Sequence, residues 1–270
     1  MFEHLSSLGF QVEFHSHAEA ILRVDFPQAV AELEAAIGNT TIPIEEIIAG
    51  GGGEAKGTQR LRKALTALGW TKTHFEIEKH IRINKRLDDK PRESQSHEVD
   101  HVRSLADGSR VALEIEWNNK DPFYDRDLEN YKRLHADGAI SVGVIITRGK
   151  SLHENMKTLV QRFLDDRAID SFQDLEQWGY LPTPRQRREI NKRVERAKNP
   201  IDFREAFVDK FVGDKFGEAT THWRKLEDRM KRGVGNPCPL VLIGLPVSIV
   251  TFNEGKSALA EIQAEEDEEC

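Results

Sequence analysis

The sequence predicts an α/β fold in which helices flank a mixed central β-sheet, and two patterns carry that expectation. Residues 139–147 hold Ile140, Val142, Val144, Ile145 and Ile146, a near-continuous β-branched run typical of a strand buried on both faces. Residues 98–103 and 110–117 read as two strands joined through Ala106-Asp107-Gly108, a good turn sequence. Stretches with helical spacing alternate with these strands, as an α/β layering requires.

In chain order, Pro27, Val30, Leu33 and Ile37 give a helix over 27–37, and Leu61, Leu65 and Leu68 share one face of a helix over 58–68. The glycines at 50–53 between them read as a linker, because no Gly-Lys-Ser/Thr follows at the spacing of a phosphate-binding loop. A strand is expected near 75–83, then a polar loop through Pro91 and Ser96, then the strand pair. Beyond Pro122 a helix over 125–136 should stop at Gly138, which supplies a C-cap. The run at 139–147 is placed at the centre of the sheet. Helices are expected at 151–166, 184–197, 201–212 and 218–232, an apolar strand at 239–245 and a short strand near 247–252.

Composition narrows the class. A chain of 270 residues with 38% hydrophobic and 31% charged residues is an ordinary globular protein, long enough for one large domain and cramped for two enzymes. The N-terminus lacks a basic segment followed by a long apolar run, and no stretch reaches the roughly 18 apolar residues of a membrane span, so a cytoplasmic protein without a membrane partner is expected. Cys238 and Cys270 support neither a disulfide framework nor a cysteine zinc cage. The net charge of −7 misleads, because residues 257–270 hold six acids and no base, leaving −1 for the remainder. That stretch is expected to be a disordered acidic tail. Residues 185–198 carry seven bases against two acids, a patch that either follows phosphates or forms a solvated helix face.

The chemistry concentrates in Asp100 and the Glu114-Ile115-Glu116 triplet. Successive strand residues alternate sides, so Ala112, Glu114 and Glu116 share one face while Val111, Leu113 and Ile115 share the other. A three-residue loop with Gly108 at positive φ brings Asp100 onto the acidic face and Val99 onto the apolar one; a two-residue turn would put Asp100 opposite Ile115, so apolar consistency favours the three-residue loop. Three carboxylates on one face repel one another unless a cation neutralises them, and such hard oxygen ligands suit Mg²⁺, with Mn²⁺ as a substitute. Phosphoryl chemistry follows, with an exposed hairpin carrying incidental acids as the alternative. A second motif overlaps the first. His97-Glu98-Val99-Asp100-His101 matches H-E-x-x-H, which on a helix binds zinc for peptide hydrolysis. In a strand its histidines stand about 13 Å apart, too far to share an ion.

Several blocks in collinear order resemble the BglII, BstYI and BamHI group of type II restriction endonucleases, a branch of the PD-(D/E)XK nuclease superfamily. They are the helix ending Leu68-Gly69-Trp70, the Glu114-Ile115-Glu116 triplet, Trp117-Asn118-Asn119-Lys120-Asp121-Pro122-Phe123, the strand VGVIITRGK at 142–150 and PLVLIGL at 239–245. The resemblance implies a restriction-endonuclease-like fold and Mg²⁺-dependent, sequence-specific double-strand cleavage of DNA that leaves 5′-phosphates. It assigns Asp100, Glu114 and the Ile115 carbonyl to the metal and makes Glu116, where most of the superfamily has lysine, the group that orients or deprotonates water. It also implies DNA contacts by Asn118, Asn119 and Lys120 and by Thr220, Thr221, His222 and Arg224; for the two threonines, helix surface or capping is the alternative.

The interval at about 157–215 is longer than the family core, and it is expected to be a helical, basic insertion within a single domain at 1–256. Arg187, Arg188 and Lys192 would meet DNA there, while Ile201, Phe203, Phe207 and Phe211 suggest a helix packed against a surface. A homodimer on a palindromic site, with a companion DNA methyltransferase, completes the expectation. The alternatives are a non-catalytic DNA-binding regulator and the zinc peptidase.

Overall fold

A computed structural model describes residues 1–49, 54–83, 86–87 and 93–252. The expected linker at 50–53 and acidic tail at 257–270 lie outside the described residues.

Six strands form the central sheet: β1 (Gln11–His15), β2 (Thr71–Lys79), β3 (Glu93–Ser104), β4 (Arg110–Glu116), β5 (Val142–Arg148) and β6 (Leu240–Leu245). Their order is β1-β6-β5-β4-β3-β2, parallel through β4, β5 and β6 and antiparallel on both flanks. The sheet is therefore mixed, with β5 and β6 buried along their whole length. Burial on both faces explains why they read as uninterrupted apolar runs. The edges were less legible. β1 is short and half-buried throughout, and β3 starts at Glu93, inside what the sequence suggested was a polar loop.

Helices cover both faces. Val111, Leu113, Val144, Ile146, Val241 and Ile243 join one core with α1 (Pro27–Gly38), α2 (Lys56–Ala67), and, after a helix α3 on the opposite face (Phe123–Ala136), α4 (Lys150–Asp166). α5 (Pro184–Val194) and α6 (Phe203–Lys215) extend that core, with Phe207 and Phe211 buried and Tyr180 set edge-on to both. On the opposite face, Ala112, Ile145 and Leu242 pack against α3 and α7 (Trp223–Lys231). The helix expected over 218–232 thus begins only at Trp223; residues 220–222 are an extended strap.

Local rules position α3. It ends in a left-handed Gly138 (φ +71°), with the Gly138 N–H donating to His135 O and the Ala139 N–H to Leu134 O. Gly143 on β5 lets the helix lie close, because a Cβ there would sit 2.4 Å from the Tyr131 ring. Tyr131 in turn donates its hydroxyl to Val144 O at 2.9 Å. Among the described residues, no helix is long and apolar enough to cross a membrane.

Candidate active site

The β3–β4 hairpin closes as the parity argument requires. His101 pairs with Leu113 and Ser104 with Arg110, and the loop between Leu105 and Ser109 contains three residues, with Gly108 at φ +87°. Asp100 therefore lies opposite Glu114, and its backbone N–H donates to Glu114 Oε1 at 3.3 Å. Val99, however, is not on the apolar face with Leu113. It packs with Val102 and Ala112 in the core under α3. The reason is a bulge: β2 pairs Thr71 with Val102 and Thr73 with Val99, so β3 carries one extra residue in that interval and its alternation flips.

The bulge separates the acids. Asp100 is 57% exposed and faces a cleft, whereas Glu114 and Glu116 are buried on the α3 side. Asp127 of α3, which the sequence reading missed, is also buried there, and its carboxyl raises the proton affinity of Glu116. Its signal was available: Tyr124, Asp127, Leu128, Tyr131 and Leu134 are the inward positions of the helix, and Asp127 is the acid among them. Among the described residues, no three of these four carboxylates have oxygens within 4.8 Å of one another.

Burial, and then the charges of Asp127 and Asp100, push Glu114 up to about 9. Burial and Asp127 also push Glu116 up, while Asn119 and Arg126 pull it back. Asn119 donates from Nδ2 to Glu116 Oε2 at 2.9 Å, and Arg126 Nη2 lies 3.7 Å from Glu116 Oε1. The Glu116 backbone is fixed by Thr147, whose hydroxyl donates to its carbonyl at 2.8 Å and contacts the Tyr124 hydroxyl at 2.5 Å.

Residues 118–120 are held by the strap. The Asn119 N–H donates to Thr221 Oγ1 at 3.0 Å, the Thr221 N–H returns to Asn119 O at 2.8 Å, and Lys120 bridges Thr220. Arg148, fully buried at the end of β5, donates to Trp117 O, Thr220 Oγ1 and Thr221 O. Of the residues expected at DNA, Thr221 and His222 are thus buried, Thr220 is tied to Arg148 and Arg224 is exposed but paired with Glu218. Asn118 is half-buried and Lys120 is exposed.

The basic run lies on α5. Arg187 pairs with Glu176, Arg185 with Glu189 and Arg193 with Asp209, while Arg188 and Lys192 are exposed. His97 and His101 lie on one strand, β3, so the helical geometry that a zinc peptidase requires is absent from H-E-x-x-H here.

A cleft of about 1050 Å³ opens beside Asp100. Asp100, Ile115, Trp117, Asn118 and Asn119 line it from the sheet, and Lys56, Arg62, Lys72 and Lys215 add positive groups from outside. Sequence periodicity does not reveal these cations, because they come from three separated elements, α2, β2 and the end of α6. Lys72 pairs with Glu98 at 2.6 Å and lies 4.0 Å from Asp100. Burial pulls the Lys215 amine down to about 8, and it donates to Ile47 O and Ala49 O.

A family model described as restriction endonuclease BglII/BglIII matches residues 10–245, a span that contains the sheet, the acids and the strap. No curated protein matches the chain.

Proposed function

The chain belongs to the restriction endonuclease BglII/BglIII family, a nuclease family, and from that premise we propose a type II site-specific deoxyribonuclease that makes Mg²⁺-dependent double-strand cuts in DNA. One observation carries the catalytic reading: Glu114, Glu116 and Asp127 are buried together near Asp100, and burial with the Asp127 charge raises the proton affinity of both glutamates. A cluster of this kind is stabilised by a divalent cation, and its all-oxygen donors fit Mg²⁺ or Mn²⁺.

Asp100, Glu114 and the Ile115 carbonyl would hold the ion, which when bound polarises a phosphate oxygen. Glu116, steadied by Asn119, would orient the attacking water and take its proton. As the water oxygen bonds to phosphorus, the bond to the 3′-oxygen breaks, leaving a 5′-phosphate and a 3′-hydroxyl. A carboxylate with raised proton affinity is a better base near neutral pH than an ordinary one. Lys56, Arg62, Lys72 and Asn118 of the cleft would track phosphates, with Lys120, Arg224 and, on α5, Arg188 and Lys192 as further DNA contacts. A homodimer would present two such sites to the two strands of a palindrome, and a companion methyltransferase would protect host DNA.

The test is incubation of the purified chain with unmethylated phage DNA in Mg²⁺ or EDTA, with the ends sequenced. Discrete Mg²⁺-dependent fragments with 5′-phosphate ends are expected. Intact DNA across several diverse substrates would overturn the reading.

A further inference from the structure

Away from the carboxylates, α4, the strap and the turn just before it bring together three potential ligands, His153, Glu218 and His222. His222 is fully buried, yet neither of its ring nitrogens has a hydrogen-bond partner among the described residues, and the same holds for His153 Nδ1. Leaving buried polar atoms unpaired is costly, and native proteins avoid it unless something else meets them. The two rings lie parallel, 3.7 Å apart at 3°. Both Nε2 atoms face the Glu218 carboxylate, at 4.0 Å for His153 and 3.9 Å for His222, which is beyond hydrogen-bond reach. The ligand atoms of all three residues fall within 4.8 Å of one another.

We propose that His153, His222 and Glu218 form a second, zinc-type metal site that binds a divalent transition-metal ion and braces the strap. Two imidazoles and one carboxylate are the donors that zinc-like ions favour, whereas Mg²⁺ prefers oxygen alone. Burial lowers the proton affinity of both imidazoles, which favours the neutral form that ligates. Tetrahedral ligands at the usual zinc distances stand about 3.3 Å apart. Closing on an ion therefore draws in Glu218, which is 62% exposed and exchanges part of its pairing with the exposed Arg224 for the metal, and turns the two rings out of parallel so that their lone pairs converge. Arg148 and Arg224 lie close enough to disfavour a further positive charge, and the Glu218 carboxylate is the group that offsets them.

The site connects to the carboxylate cluster through the chain. His222 follows Thr221, which accepts from the Asn119 N–H, and Asn119 donates to Glu116. An ion here would therefore stiffen the segment that holds Asn119 while taking no part in phosphate chemistry.

The test is Co²⁺ titration of the chelator-treated full chain, read by visible absorption and followed by Zn²⁺ displacement. One Co²⁺ per chain, displaced by one Zn²⁺, is expected, with the band retained in Asp100→Ala. Losing a ligand should weaken binding at least as much as losing a group that merely supports one, roughly 10- to 100-fold; that is expected for both Glu218→Gln and His153→Gln, with circular dichroism unchanged. Glu218 is exposed, so its variant keeps the comparison valid even where a histidine variant misfolds. The proposal is overturned if no band forms, if the band disappears in Asp100→Ala, or if Glu218→Gln binds Co²⁺ as tightly as wild type.

Discussion

Asn119 is bonded to Glu116 by its side chain at 2.9 Å while its backbone N–H is anchored on Thr221 at 3.0 Å. The strap thereby fixes the group that steadies the proposed base. A hydrogen bond to the ionised carboxylate lowers its proton affinity, so removing the amide should raise it further. In Asn119→Ala the acidic limb of the pH profile of kcat should move to higher pH, with cleavage at neutral pH falling by roughly tenfold or more. A profile superimposable on wild type would show that Asn119 does not act through Glu116.

Glu114 gives the sharpest link between charge and stability. Its folded-state pKa is raised from 4.5 to about 9, so between these values the metal-free folded chain binds more protons than the unfolded one. Its contribution is present below about pH 4.5 and is lost as pH rises through about 9. The metal-free protein should therefore lose stability across that window, and Glu114→Gln should flatten the loss and add on the order of 1 kcal/mol at neutral pH. Saturating Mg²⁺ should raise the Tm of wild type but not of the variant. Thermal melts across the pH range check this, and a variant that is less stable at every pH would contradict it.

Arg148 secures the end of β5 to Trp117 O and Thr221 O, and burial lowers its pKa to about 10. Arg148→Met would leave those carbonyls unpaired at about 1–3 kcal/mol each. Urea unfolding of the variant should show a loss of at least about 2 kcal/mol, and an unchanged midpoint would mean that the strap is held by other interactions.

Arg188 and Lys192 are the exposed bases among the α5 residues expected to meet DNA. If both meet phosphate, their joint replacement by alanine should reduce the slope of log K against log salt by roughly 0.9 for each phosphate no longer neutralised. Binding measured across a salt series decides it, and an unchanged slope removes them from the interface.

The sheet centre was legible in the sequence because β5 and β6 are buried on both faces, which leaves their apolar runs all but unbroken. The three-residue hairpin loop was legible from Gly108, although the apolar consistency that favoured it set Val99 beside Leu113, where the structure does not place it. What escaped was set by tertiary context. The extra residue between Val99 and Val102 is visible only against β2, and it sends Asp100 toward the cleft while Val99 turns under α3. Asp127 reads locally as one more helix acid, and becomes part of the cluster only because Gly143 admits α3 close to the sheet. Residues 220–222 look helical by composition, but pairing with 119–120 and Arg148 holds them extended.

The most direct test compares site-specific DNA binding and cleavage, in parallel, for wild type and Asp100→Ala. The Asp100 side chain is mostly exposed, so the variant should fold and bind the same site. Its cleavage in Mg²⁺ should fall by about 10²-fold or more while binding stays within roughly tenfold. Undiminished cleavage by Asp100→Ala would contradict a carboxylate-centred nuclease site.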